Sequence, residues 1–329
     1  MINVDAWLAS LIFIGLISYI TWILSTARSL KKLILISEGI MFIVALLILW
    51  RVFKLNFDFG LVLSIATLFA GISWSIGYYL KLANLLDESR SYFWILLVIL
   101  CVRSFGYEPY QIPSSSMEPG LQIGDFVLVN KYEFGLKLPG TYISINKGKK
   151  PRKADVAVFY APHTLCDIKP QYARPDLASL SSRESQLFLS RFLSLQKNRC
   201  SKLGTKYVKR VMGVPGDKVV IKGHEIWINE EKLEQNIILE DESQNLYQET
   251  IGNRIHTIRT LVKSGYDEYK WQIPEGKYLA LGDNRDNSLD SRAWGYFSEE
   301  HIVGKAEFIW LHWGSFSEIP TFSRNGRIN

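Results

Sequence analysis

The chain of 329 residues reads as about four N-terminal transmembrane α-helices followed by a mostly antiparallel β domain that carries a partly helical insertion. Three observations predict this architecture. Nearly all the long apolar runs precede residue 107. From residue 121 onward, short apolar alternations are separated by Gly, Pro, Asp and Asn, the pattern of strands and turns. One segment, 162–206, departs from that pattern with Leu and Phe at helical spacing.

The spans come first. Residues 6–27 and 59–80 carry no charge, and each is long enough to cross a bilayer as a helix. Residues 33–53 form another, whose apolar stretch to residue 50 is interrupted only by Glu38. Residues 91–107 are the shortest candidate, and they span if Arg103 snorkels to the surface. The head of the first run carries Asp5 and no Lys or Arg, the wrong sign for a cleavable leader, so a retained anchor is expected. Arg28, Lys31, Lys32, Lys81 and Arg90 fall in the first and third loops, against Arg51 and Lys54 in the second. That bias puts the odd loops in the cytoplasm and everything after residue 107 outside, provided that four spans are crossed.

The β domain, 108–329, follows. "DFVLVNKY" (125–132), "DVAVFYA" (155–161), "KYVKRVMGV" (206–214), "DKVVI" (217–221), "HEIWIN" (224–229), "KYLALGD" (277–283) and "KAEFIW" (305–310) read as strands. A smaller β subdomain is expected at about 223–275. The insertion 162–206 is bracketed by Cys166 and Cys200, for which an oxidising exterior favours a disulfide over two free thiols. Closing that loop of about 35 residues stabilises the fold by roughly 4 kcal/mol in the chain-entropy picture. The net charge of +6 and the run "NKGKKPRK" (146–153), with no interleaved aromatics, read as a solvated turn near anionic lipid, not as a nucleic-acid surface.

The chemistry is sought in "IPSSSMEP" (112–119), three serines between two prolines. A nucleophilic serine needs a base, and the five histidines, His163, His224, His256, His301 and His312, are scattered without a triad context. No H-E-x-x-H or C-x-x-C spacing occurs, so no metal is expected. A lysine base remains, and it works near neutral pH only if burial lowers its pKa. With "KYVKRVMG" as a strand, Tyr207, Lys209 and Val211 share one face and Arg210 points the other way; a solvated lysine on an edge strand is the plain alternative. If 112–119 is extended, Ser114 and Ser116 lie on one side and Ser115 on the other, which leaves open which of them attacks.

Three segments in order, "EPYQIPSSSMEPGLQIGDFVLVNKY" (108–132), "YVKRVMGVPGDKV" (207–219) and "GDNRDNSLDSRAWG" (282–295), with "KADVAVF" (153–159), closely resemble type I signal peptidase (leader peptidase), a Ser–Lys dyad family. The resemblance implies Ser116 as nucleophile and Lys209 as general base. Ser114 would donate to the oxyanion, and Ser288 would hydrogen-bond and orient Lys209. Ile112, Met117, Leu121, Tyr207 and Val208 would line shallow pockets for small side chains. Arg210, Asp283, Asp290 and Arg292 would form supporting ion pairs. It further implies removal of signal peptides from exported preproteins after an A-x-A-like site, with no cofactor, at the periplasmic face of the bacterial inner membrane. Partners would be preprotein signal peptides, membrane lipid and the protein-export machinery. The chain departs from the family at Ser115, where many relatives carry glycine, in having four spans instead of two, and in the insertion, which has no alignable counterpart.

Overall fold

The computed structural model describes residues 6–54, 59–137, 145–146, 148–176, 180–201, 204–262, 268–315 and 317–329. Asp5, Lys147 and residues 177–179 and 202–203 of the insertion lie outside the described residues. The chain divides into two compact units, Met1–Arg103 and Ser104–Asn329.

The first unit holds helices α1 (Ala6–Ala27), α2 (Lys31–Lys54), α3 (Phe59–Tyr79) and most of α4 (Ala83–Phe105). Among the described residues, three helices are long and apolar enough to cross a membrane: Ala6–Ala27, Lys31–Val52 and Gly60–Tyr79. The fourth is a continuous helix, but it starts ahead of the apolar run and carries Asp87, Glu88 and Arg90 in its first turns. Polar side chains tie these helices together. Tyr19 donates to Ser73 Oγ at 2.7 Å, and Trp22 Nε1 donates to Glu38 at 3.0 Å, which satisfies the single carboxylate of the second run.

The second unit is β-rich. Its strands are β1 (Tyr107–Gln111), β2 (Asp125–Asn130), β3 (Val156–Tyr160), β4 (Lys206–Gly213), β5 (Lys218–Lys222), β6 (Glu225–Ile228), β7 (Glu231–Lys232), β8 (Glu234–Glu240), β9 (Gln244–Ile251), β10 (Arg254–Leu261), β11 (Glu268–Gln272), β12 (Lys277–Leu281), β13 (Phe297–Ser298), β14 (Ile302–His312) and β15 (Gly326–Arg327). An eight-stranded sheet runs β1-β2-β14-β3-β4-β12-β13, with β15 on β14. Two smaller sheets, β10-β9-β8 and β11-β5-β6-β7, fill most of residues 218–272. All the ladders are antiparallel.

Two features of the large sheet matter for function. β1 is an edge strand, and β4 meets β12 only from Arg210 onward, so Lys206–Val208 keeps one open side. The sheet curls enough that Lys206 Nζ on β4 donates to Tyr110 OH on β1 at 2.7 Å, although three strands separate them in the sheet order.

The insertion is built into the core. It contains α5 (Pro170–Ala173) and α6 (Ser182–Arg199), and Ser181 and Glu184 form a reciprocal capping box at the start of α6. Phe188 and Phe192 of α6 pack with Phe159, Tyr278, Trp294 and Phe297. A disulfide joins Cys166 to Cys200, with Cα atoms 5.1 Å apart. Gly295, at φ +84°, follows α7 (Ser291–Trp294) and lets the chain pass Ala173, whose carbonyl oxygen would lie 2.3 Å from any Cβ there.

Candidate active site

The serine stretch is not extended. Ser115–Met117 form a single 3₁₀ turn, with extended Ser114 before it and extended Glu118 after it. The side-alternation argument therefore fails, because a turn replaces the strand it assumed. The hydroxyls nevertheless separate: Ser114 Oγ lies 3.4 Å from Ser116 Oγ, while Ser115 Oγ accepts from Asn287 Nδ2 at 3.1 Å. Ser115 has no left-handed backbone angle, so glycine's freedom is not required at that position.

Lys209 projects from β4 onto this turn, and its Nζ donates to Ser116 Oγ. Only 3% of Lys209 is exposed. Burial pulls its ammonium down to about 8, against the opposing pull of the Asp290 and Asp283 carboxylates. A solvated lysine on an edge strand is thus excluded: both faces of β4 are covered from Lys209 on.

Arg210, on the opposite face, is buried as well. It grips Asp283 through Nε and Nη2 at 2.8 and 2.7 Å. Asp290 receives Arg292 Nε at 2.9 Å and Nη2 at 2.8 Å, and also the Gly282 N–H at 3.1 Å. Burial alone would raise the Asp290 pKa, but Arg292 and these hydrogen bonds hold it below the usual value.

The "GDNRDNS" loop cradles the serine turn through residues to which motif reading assigned no role. Asn284 donates from its backbone to Ser116 O at 3.2 Å and from its side chain to Ser115 O at 3.1 Å. A Cβ on Gly282 would lie 2.2 Å from Ser288 Oγ and 2.4 Å from Ser116 O, so only glycine permits this approach. The expected hydrogen bond from Ser288 to Lys209 is not formed: the buried Ser288 hydroxyl has no partner among the described residues.

Ser114, Ser115, Ser116, Lys209 and Ser288 line a cleft of ≈ 600 Å³, with Ile112, Met117, Tyr207 and Val208 in its walls. Leu121 is not in the wall; it is buried with Ile112 and Met117 in the core beneath. His163 reaches the cleft only indirectly, through a 3.2 Å contact with Tyr207 OH.

A serine hydroxyl against a buried amine, in a cleft beside the open edge of Lys206–Val208, has the form of a serine peptidase site. Residues 85–313 match the family model described as signal peptidase, peptidase S26, and the chain belongs to that family. Signal peptidase I of Pseudomonas aeruginosa is 34% identical over 265 residues, covering 74% of this chain and 80% of the relative. The Haemophilus influenzae signal peptidase I is 35% identical over 250 residues, 67% of this chain and 68% of the relative. A crystal structure of a signal peptidase I from Enterococcus faecalis aligns with 48% of this chain and 97% of its own at 20% identity and a TM-score of 0.23.

Proposed function

We propose that this chain is a membrane-anchored serine endopeptidase that removes N-terminal signal peptides from exported preproteins after an A-x-A-like site, using Ser116 and Lys209. The observation that carries the reading is Lys209 Nζ held on Ser116 Oγ at a lysine that is 3% exposed. In the neutral form, Lys209 takes the Ser116 proton as Oγ attacks the scissile carbonyl carbon. The Ser114 hydroxyl and the Ser116 N–H face the developing oxyanion. The protonated Lys209 then gives its proton to the leaving amine and the acyl-enzyme forms. A water deprotonated by Lys209 hydrolyses that ester and frees Ser116.

Specificity follows from shape. Ile112, Met117, Tyr207 and Val208 line the cleft, and in the proposed complex they form shallow recesses that admit small side chains and exclude bulky ones. The open edges of β1 and of Lys206–Val208 bind the extended peptide by strand addition. Ser288, whose buried hydroxyl has no partner among the described residues, turns towards Lys209 once the amine is neutral and can accept. The protein is placed in the bacterial inner membrane, with α4 crossing, Arg103 reaching the surface and the second unit on the periplasmic face. Signal peptides, lipid and the protein-export machinery are its partners there.

The test is cleavage of a purified preprotein by the full chain, Ser116→Ala and Lys209→Ala. Both variants are expected to lose cleavage by at least about 10³-fold. Near wild-type cleavage by either one would show the assigned pair to be wrong.

A further inference from the structure

The insertion does more than complete the core, because its helix ends at the catalytic cleft. Arg199, the last residue of α6, lines that cleft together with Thr205 and Lys206. Several contacts fix this end of the helix. Cys200, the next residue, is bonded to Cys166. Gln196 Nε2 donates to the carbonyls of Leu165 and Ile168 at 2.8 Å each, and Ser201 N–H donates to Thr164 O at 2.9 Å. The guanidinium of Arg199 is exposed and has no hydrogen-bond or ion-pair partner among the described residues. Its field reaches His163, which burial pulls down to about 4 with Arg199 acting in the same direction.

The charge around it is one-sided. Lys206 lies over the rings of Tyr110 and Tyr160 and donates to Tyr110 OH, adding a second cation at the same end. Asp286, the one carboxylate in the cleft wall among the described residues, is already engaged by His224 Nε2 at 2.8 Å and by the Leu261 N–H at 2.7 Å. Arg199 therefore brings to this end of the cleft a positive charge with no counter-ion among the described residues.

Its position along the substrate follows from strand geometry and rests on the function proposed above. Lys206 precedes Lys209 by three residues on β4, about 10 Å at strand spacing. If Tyr207 and Val208 flank the small residues before the scissile bond, Lys206 faces the peptide about three to four residues upstream of it, and Arg199, at the same end of the cleft, faces the residues just beyond. We infer that Arg199, held in place by the insertion, is a specificity-determining residue that favours preproteins carrying an acidic side chain in that upstream segment and disfavours those carrying a basic one.

The test uses the full chain in detergent and one preprotein made in three forms, with Asp, Asn or Lys five residues before the cleavage point. Wild type is expected to cleave the Asp form about 5-fold faster than the Asn form and the Lys form about 5-fold slower, in kcat/KM. Arg199→Lys keeps this order, Arg199→Ala flattens it, and Arg199→Glu reverses it. Equal cleavage of the three forms by wild type, or an order unchanged in Arg199→Glu, overturns the inference and leaves the peptidase reading intact. Cleavage of none of the forms by wild type overturns both.

Discussion

With Lys209 as the proposed base, its burial sets how cleavage depends on pH. A free lysine amine has a pKa of about 10.4, so at pH 7 it is almost wholly protonated and useless as a base. Burial lowers Lys209 to about 8, a difference of about 2.5 units, on the order of 3 kcal/mol favouring the neutral amine. The neutral form is the active one, so kcat/KM rises with pH and levels off above the pKa. With a pKa of 8 the neutral fraction is about 1% at pH 6, 9% at pH 7, 50% at pH 8 and 91% at pH 9. Activity should therefore climb about 50-fold from pH 6 to 8 and less than about 2-fold from pH 8 to 9. An unperturbed lysine would instead gain about 10-fold over that last unit and keep climbing. The assay is initial-rate cleavage of a preprotein by the full chain at low substrate, in buffers of constant ionic strength. A rise of about 10-fold between pH 8 and 9 would refute the buried-base argument.

Two further outcomes follow from the packing. Arg210→Ala leaves Asp283 buried and unpaired, so thermal or denaturant unfolding should show a loss of about 3–5 kcal/mol, and the midpoint of the pH profile should rise because the bare Asp283 charge favours protonated Lys209; an unchanged melting temperature would contradict this. Replacing Cys166 and Cys200 with Ser opens the loop that the disulfide closes, across a separation of 34 residues, and should lower stability by up to about 4 kcal/mol. The wild type under reductant should melt like that double variant; a melting temperature insensitive to reductant would argue against the bond.

The legible part of the site was the part written in neighbouring residues. "YVKR" and "GDNRDNSLDSRAWG" are stretches that meet at the serine turn, and the pairing of Arg210 with Asp283 and of Arg292 with Asp290 lies within them. The serine turn was misjudged because prolines at 113 and 119 constrain only the residues before them, while the Asn284 contacts from a distant loop shape what lies between. Leu121 could not be told from a cleft residue, since core and cleft-lining positions are equally apolar. Strands β8–β11 left only a vague β subdomain, because an exposed run such as "EQNIILE" of β8 lacks clean alternation.

By itself, the sequence determined the apolar spans, the strand-and-turn rhythm and the helical spacing of the insertion. Each of these is a local matter, fixed by periodicity, charge and residue chemistry over a few positions. Tertiary structure alone decided that Ser116 and Lys209, 93 residues apart, share one hydrogen bond. It also decided that Lys209 is dry enough to lose its proton, and that Arg199 stands at the end of the cleft. Burial and proximity depend on what the rest of the chain packs around a residue, and no stretch of neighbours encodes that.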